Sequence, residues 1–537
     1  MFTPVLTRTR LTVIVALFIA VTGNRAFFRH VSAVYPWDGN AVFLVSLAVL
    51  LFSILVLLVA LFSLLIPVRV LAGVILVLSA ITGYFSDHLG TVIDVGMIQN
   101  LLETNVSEAS DLINGGMALR LLLLGILPAY LIWRLPFKNA GWVRELRFSV
   151  QTGLIALVLV MICIFPVSDQ YASFIREHKM LRYYTNPATP IYSAGKYIAS
   201  ALKVDDSAGF MRLTANAATI ESDGGHELII VVVGETARAD HFSLNGYRRI
   251  TNPRLAREGN LVSYSHVSSC GTDTAISVPC LFSFDGRADF DIASARRTEN
   301  VLDVLAKAGV NVLWRDNNSD SKGVAERVQY EDYRSNVLNP DCDVECRDVG
   351  MLSGLQDYID SHEGDILIVL HQMGSHGPAY SRRYPPEFEE FRPACHTREL
   401  SECTREEITN AYDNSLLYTD YFVSKVIELL KENTPNYETA MFYVGDHGES
   451  LGENGLYLHG MPYMFAPAAQ THVPLIAWIG RTSDIDYAHT LTLRDVTTSH
   501  DSFSSSLLEA FEVDAEYFEK PGPVARLIYM KQGDDAH

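Results

Sequence analysis

Apolar positions follow two different patterns along this 537-residue chain. Through residue 167 they form long runs, at about 11–29, 41–66, 68–86, 117–135 and 149–167. Runs of roughly 17–25 apolar residues suit helices that cross a bilayer, so five spans are expected. The 41–66 run carries no charge, whereas Asn24 and Arg25 interrupt the first run, Pro67 and Arg69 open the third and Arg120 lies in the fourth. The first run lacks the small-residue cleavage site of a removable signal. From 227 onward the runs shorten to about six residues rich in Val, Ile, Leu, Phe or Tyr, the signature of strands covered on both faces. Strands are expected at 227–233, 310–315, 365–370, 440–444 and 473–479, with helices near 298–308 and over 404–432. Thr404-Arg405-Glu406-Glu407 supplies a capping box for the longer helix. Such alternation predicts an α/β sandwich with a mostly parallel sheet. Between the two regions, 168–225 mixes Tyr and Phe with Arg176, Lys179, Arg182 and Lys196. That composition suits a helix lying in the headgroup layer or a solvated linker helix.

Charge orients the spans. With Arg8 and Arg10 inside, alternate loops place Arg69, Arg134, Lys138, Arg144 and Arg147 inside as well. The loop from 86 to 117 then lies outside, and it holds Asp87, Asp94, Glu103, Glu108 and Asp111 with no Lys or Arg. This is the positive-inside pattern. Five crossings put the remaining 370 residues outside the inner membrane, which in a bacterium is the periplasm. The expected organisation is a transmembrane domain of five helices (1–167), a juxtamembrane connector (168–225) and a periplasmic catalytic domain (226–537). Residues 1–167 carry ten Lys/Arg and seven Asp/Glu, while the rest carry 32 and 55. So acidic a second region argues against nucleic acid as a partner. Cys163 lies in the fifth run, as a small hydrophobe would. The other six cysteines fall as near neighbours, Cys270/Cys280, Cys342/Cys346 and Cys395/Cys403. Six cysteines allow fifteen pairings, and local disulfides in an oxidising compartment are the simplest. A zinc cluster is the alternative, but Cys-x-x-Cys pairs are missing.

Three strands run directly into polar clusters. The 227–233 run ends in Gly234-Glu235-Thr236, the 365–370 run leads to Gly374-Ser375-His376, and the 440–444 run ends in Gly445-Asp446-His447-Gly448-Glu449. In open α/β sheets ligands bind outside the carboxyl ends of strands, so the three clusters predict one site. Glu, Asp and His together suit zinc. Turn residues satisfying their own backbone are the plainer explanation of any one cluster, but three in one domain outweigh it. Between them, Ser268-Ser269-Cys270-Gly271-Thr272-Asp273-Thr274 opens into an apolar run, as a loop entering a helix does. Thr272 and Thr274 then sit near a helix N-terminus, which favours anions. Taken alone that is an ordinary helix cap. Beside a metal, a threonine hydroxyl there becomes a nucleophile toward phosphorus.

The segments GETARADHFSLNGY, TDTAISVPCLFS, SHGP and GDHGESLGENGLYLHG resemble the alkaline phosphatase/sulfatase superfamily. More narrowly they are similar to the bacterial lipid A phosphoethanolamine transferases, which include the mobile colistin-resistance enzymes. The similarity extends over essentially the whole chain. It implies that Glu235, Thr274, Asp446 and His447 bind a catalytic Zn2+, with Thr274 as nucleophile and room for a second zinc. His376 and His459 match positions that hold the phosphoryl group or that second zinc, and either histidine could carry a proton. Ser319, Lys322 and Glu449 match a phosphoethanolamine pocket. Asn100, Thr104 and Glu108 match lipid contacts, and their spacing puts all three on one helical face. The implied reaction moves phosphoethanolamine from phosphatidylethanolamine to lipid A through a phosphoethanolamine-threonine intermediate, lowering surface charge and polymyxin binding. A monomer among inner-membrane lipids is expected. A core sugar, periplasmic glucan or protein is the alternative acceptor. Sulfatases of the superfamily use a modified Cys or Ser where this chain has Thr274, and a non-enzymatic receptor would not need all four ligands.

Overall fold

The computed structural model describes residues 6–103, 112–138, 141–202, 209–213, 217, 225–513 and 526–531. Thr104 and Glu108 lie outside the described residues. The chain forms two compact units, Met1–Gln99 with Ile113–Lys203, and Asn100–Leu112 with Val204–His537.

In the first unit, Trp37–Phe62, Val68–His88, Gly115–Arg134 and Val143–Tyr171 are long and apolar enough to cross a membrane. The first expected span is not one straight helix. Arg8–Thr22 and Arg25–Val34 meet at 56° across Gly23 and Asn24, and the spans among the described residues number five if this bent pair is one of them. A broken helix in an apolar setting exposes backbone groups that must find partners within the protein. Here two asparagines supply them. Asn24 Nδ2 donates to the carbonyls of Ile19 (3.0 Å) and Asn186 (2.8 Å), and the Asn186 N–H donates to Asn24 Oδ1 (2.8 Å). Asn186 Nδ2 donates to the Gly23 and Ser79 carbonyls, both at 2.9 Å, while its Oδ1 accepts from Thr82 (2.7 Å). The stretch after the last long helix, which contains Asn186, is thereby pinned into this unit. The charge in the fourth run is also paired: Arg120 lies 2.7 Å from Asp87, whose other oxygen accepts the Ala26 N–H.

Among the described residues the second unit holds ten strands: β1 (Glu227–Gly234), β2 (Leu261–Ser268), β3 (Asn311–Asp316), β4 (Gln329–Asp332), β5 (Ile366–His371), β6 (Glu438–Gly445), β7 (Ser450–Leu451), β8 (Tyr457–Leu458), β9 (His472–Ile479) and β10 (Thr498–Ser499). Eight form one sheet in the order β10-β2-β9-β6-β1-β5-β3-β4, and β7 pairs β8 separately. The five expected strands are β1, β3, β5, β6 and β9. The sheet is mixed, because β9 runs antiparallel to both β2 and β6. The pattern 227–233 predicts a strand covered on both faces, and every residue of β1 is buried. Helix Arg405–Asn433 carries the expected capping box at Thr404 and Glu407. Register positions the site: Val233 pairs with His371, Gly234 with Gly445, and Asp316 with His371. The carboxyl ends of β3, β1, β5 and β6 are therefore level along one edge. Cys270–Cys280, Cys342–Cys346 and Cys395–Cys403 are disulfides, as the local pairing anticipates.

Candidate active site

The sheet edge collects the predicted groups. Glu235 follows β1, Asp446 and His447 follow β6, and Thr274 opens helix Thr274–Leu281. Asp273 caps that helix by accepting the Ile276 N–H (3.1 Å), and the Cys270–Cys280 disulfide ties the entering loop to the helix. Glycine lets the β5 loop lie against Glu235: a Cβ at Gly374 would meet the Glu235 carbonyl at 2.8 Å. Glu235, Asp446 and His447 each bring one ligand atom within 4.8 Å of the others. Thr274 Oγ1 lies 3.0 Å from Glu235 Oε2 and 3.3 Å from His447 Nε2. All four side chains are buried, Thr274 the most exposed at 6%.

This arrangement fits a cation. Glu235 Oε1 and Asp446 Oδ2 are buried and have no hydrogen-bond partner among the described residues. Leaving such acceptors dry and unpaired is costly, and more so when they are anionic. Burial first, and then the Asp446 charge, push the Glu235 pKa up to about 7. Burial raises Asp446 to about 6. His447 moves the other way, down to about 4, through burial and the nearby His459. At neutral pH its ring is thus uncharged, and its 3.5 Å approach to Glu235 is not an ion pair. His447 Nδ1 faces the Gly448 carbonyl at 3.0 Å, so Nδ1 carries the proton and Nε2 presents a lone pair to the carboxylates. Two carboxylates, one neutral imidazole and a hydroxyl form a donor set suited to zinc.

A second layer surrounds this cluster. His459 Nδ1 lies 2.8 Å from Glu449 Oε2, and Glu449 Oε1 accepts from the Tyr380 hydroxyl at 2.7 Å. The His459 ring centroid is 4.4 Å from that of His447 and 5.3 Å from that of His376. Burial opposes the charged form of His459, but the Glu449 carboxylate outweighs it and pushes the pKa up to about 9. Burial and the His459 charge hold His376 well below the usual histidine range. One cationic and one neutral imidazole therefore stand side by side. Ser319 and Lys322 lie on the loop after β3, both buried. Lys322 Nζ donates to the Glu103 carbonyl at 3.1 Å, and Asn100 sits one turn earlier on helix Val95–Glu103.

Three contributors were not singled out from the sequence. Asn318 Nδ2 donates to Glu235 Oε2 at 2.7 Å and to the Gln372 carbonyl at 2.9 Å, fixing the carboxylate. His371 is fully buried, with Nδ1 2.9 Å from Asp316 Oδ2, an oxygen that also accepts from the Trp314 indole at 2.9 Å. Tyr380 holds Glu449. A signal existed for the first two, since β3 also ends in polar residues, Asp316-Asn317-Asn318, and β5 ends in His371 itself.

Known proteins share both halves of this chain. Residues 227–513 match the sulfatase family, and residues 51–202 match the family described as phosphoethanolamine transferase EptA/EptB. Phosphatidylethanolamine transferase Mcr-2 of Escherichia coli is 45% identical over 513 residues, covering 94% of each chain. Phosphoethanolamine transferase EptA of Escherichia coli (strain K12) is 36% identical over 516 residues, again 94% of each. The structure of the integral membrane protein lipooligosaccharide phosphoethanolamine transferase A (EptA) from Neisseria meningitidis superposes with a TM-score of 0.92 at 32% identity. That match covers 96% of this chain and 98% of that one. A membrane half and a sulfatase-type half joined in one chain, both shared with these relatives over at least 94% of its length, place the protein in the phosphoethanolamine transferase family.

Proposed function

We propose that the protein is a zinc-dependent enzyme that moves phosphoethanolamine from phosphatidylethanolamine to a phosphate of lipid A. The observation that carries this is the Thr274 hydroxyl, hydrogen-bonded to Glu235 and 3.3 Å from the His447 Nε2 lone pair, beside two carboxylate oxygens that lack any donor among the described residues. Glu235, Thr274, Asp446 and His447 would hold the zinc, which when bound makes the hydroxyl more acidic and offsets charge on phosphoryl oxygens. Thr274 Oγ attacks the donor phosphorus and forms a phosphoester, and its proton is already directed at Glu235 Oε2. His459, kept protonated by Glu449, is the acid placed to give a proton to the departing diacylglycerol oxygen. His376, kept neutral, can accept a proton or a hydrogen bond. In the second half-step a lipid A phosphate oxygen attacks the phosphorus of the phosphoethanolamine-threonine ester and passes its proton to His459, and the departing Thr274 oxygen takes back the proton held at Glu235. Ser319, Lys322 and Glu449 are proposed to line the phosphoethanolamine pocket, and Asn100, with Thr104 and Glu108, to meet the lipid.

The same proposal places the protein across the bacterial inner membrane, with the N-terminus in the cytoplasm, residues 168–225 as an interfacial connector and 226–537 in the periplasm. The local disulfides and the acidic 86–117 loop support that orientation. An added ethanolamine cation lowers lipid A charge and weakens attraction for polymyxin-like polycations.

Intact mass measurement of the purified protein after incubation with phosphatidylethanolamine, with and without chelator, tests this. A phosphoethanolamine adduct on Thr274 that chelator suppresses is the expected result, and its discharge by lipid A identifies the acceptor. An adduct that lipid A does not discharge would move the acceptor to a core sugar, glucan or protein. Lack of any adduct in zinc-loaded protein would overturn the mechanism.

A further inference from the structure

The nucleophile and the metal carboxylate belong to distant segments, helix Thr274–Leu281 and the end of β6, and something must hold them in register. Two side chains do so. Ser277, one turn after Thr274, donates its hydroxyl to the Asp446 carbonyl. His500, 1% exposed at the end of β10, uses both ring nitrogens. Its Nδ1 accepts the Cys270 N–H (3.2 Å) at the entrance to the nucleophile loop, and its Nε2 faces the Gly445 carbonyl (3.0 Å) immediately before Asp446. A backbone N–H can only donate and a carbonyl can only accept, so these bonds require the neutral tautomer with hydrogen on Nε2. Ser277 Oγ is 3.4 Å from the same Nδ1 and 3.4 Å from the Gly271 nitrogen, which closes the cluster.

We propose that His500 is a positioning residue that clamps the Cys270–Thr274 loop to the Gly445-Asp446 strand end, setting the distance between the nucleophile and the metal ligands. It reaches neither Thr274 nor the ligand atoms of Glu235, Asp446 and His447; it acts through backbone. The inference rests on the proposed roles of Thr274 and Asp446. Productive sites tolerate displacements of only about 0.5 Å, and residues supporting metal ligands typically contribute 10- to 100-fold in metal affinity or activity.

The test uses the full-length protein in detergent with three variants. His500→Phe keeps ring bulk and removes both bonds; His500→Asn keeps an acceptor near Cys270; His500→Gln can return a donor toward Gly445. Zinc affinity is measured alone, by competition with a chromophoric chelator, and transfer from phosphatidylethanolamine is measured in parallel. His500→Phe should lower kcat by about 10- to 100-fold with KM within about twofold, and weaken zinc by about tenfold, with partial recovery in the Asn and Gln variants. A His500→Phe protein with native disulfides and melting behaviour that keeps wild-type kcat and zinc affinity overturns the clamp. If His500→Phe does not fold, the other two decide, and wild-type values in both overturn it equally. Thr274→Ala, run alongside, separates the two readings: full transfer by that variant refutes the nucleophile assignment, while the zinc measurement still judges His500.

Discussion

Acidification should strip the proposed zinc from this site along a curve set by two carboxylates. In the metal-free protein Glu235 titrates near 7 and Asp446 near 6, while His447, near 4, stays neutral through the range of interest. Metal ligation needs both carboxylates ionised, so each protonation competes with binding. Above pH 7 the apparent affinity is flat. Between pH 7 and 6 it falls about tenfold per pH unit, and below 6 about a hundredfold per unit, as the second carboxylate joins. From pH 8 to pH 5 the loss amounts to two logarithmic units from Glu235 and one from Asp446, about a thousandfold or roughly 4 kcal/mol. Zinc titration calorimetry at half-unit steps, repeated in buffers of different ionisation enthalpy, reads both the affinity and the protons released. Proton release should rise from near zero at pH 8 toward two at pH 5. An affinity that stays constant from pH 8 to pH 5 would refute the carboxylate pair as the principal ligands.

The same shifts bear on stability. Both carboxylates have folded pKa values raised above ordinary ones, so in metal-free protein their contribution is full below about pH 4 and lost as pH rises through 6 to 7. Chelator should therefore lower the melting temperature more at pH 8 than at pH 5.5, and the difference should shrink in Glu235→Gln. Thr274→Ala should abolish the adduct, whereas Thr274→Ser should keep it at a rate reduced by about tenfold or less, because the hydroxyl survives. Glu449→Gln removes the charge that holds His459 near 9. The alkaline limb of the kcat/KM profile should move down by more than one pH unit, and an unmoved limb would exclude His459 as the acid. Asn186→Ala deletes four side-chain hydrogen bonds to Gly23, Ser79 and Thr82. At about 0.6–1 kcal/mol each this predicts a loss of roughly 2–4 kcal/mol, seen as a lower melting temperature in detergent micelles.

Strand assignment from sequence worked where burial is two-sided. β1, β5 and β6 are unbroken apolar runs, and the polar residues that end them point to one shared site. β2 escaped because Leu261–Ser268 alternates buried and partly exposed positions and contains three serines and a histidine. Nothing in that composition separates it from loop. The antiparallel course of β9 was equally illegible, since the direction of a strand depends on its connections rather than on its residues. In the first unit the Gly23-Asn24 break was visible as polarity inside an apolar run. Its meaning was not, because Asn186, which closes the break, lies 162 positions away.

That contrast extends to the site. The clustering of Glu235, Asp446 and His447 was legible because the proposed metal ligation draws on a few residue types and the strand ends put them in short local motifs. Asn318, His371 and His500 work differently: each acts through a hydrogen bond to a partner brought near by the sheet, and even at the strand ends that carry Asn318 and His371 no local pattern names the partner. The chemistry of a ligand is written in its side chain, whereas the chemistry of a support is written in its partner. It follows that the supports are where two chains with the same ligand motifs can differ in rate. Exchanging Asn318 or His500 between relatives that share Glu235, Thr274, Asp446 and His447 should change kcat and metal affinity together, while exchanges among exposed residues of the same loops should change neither.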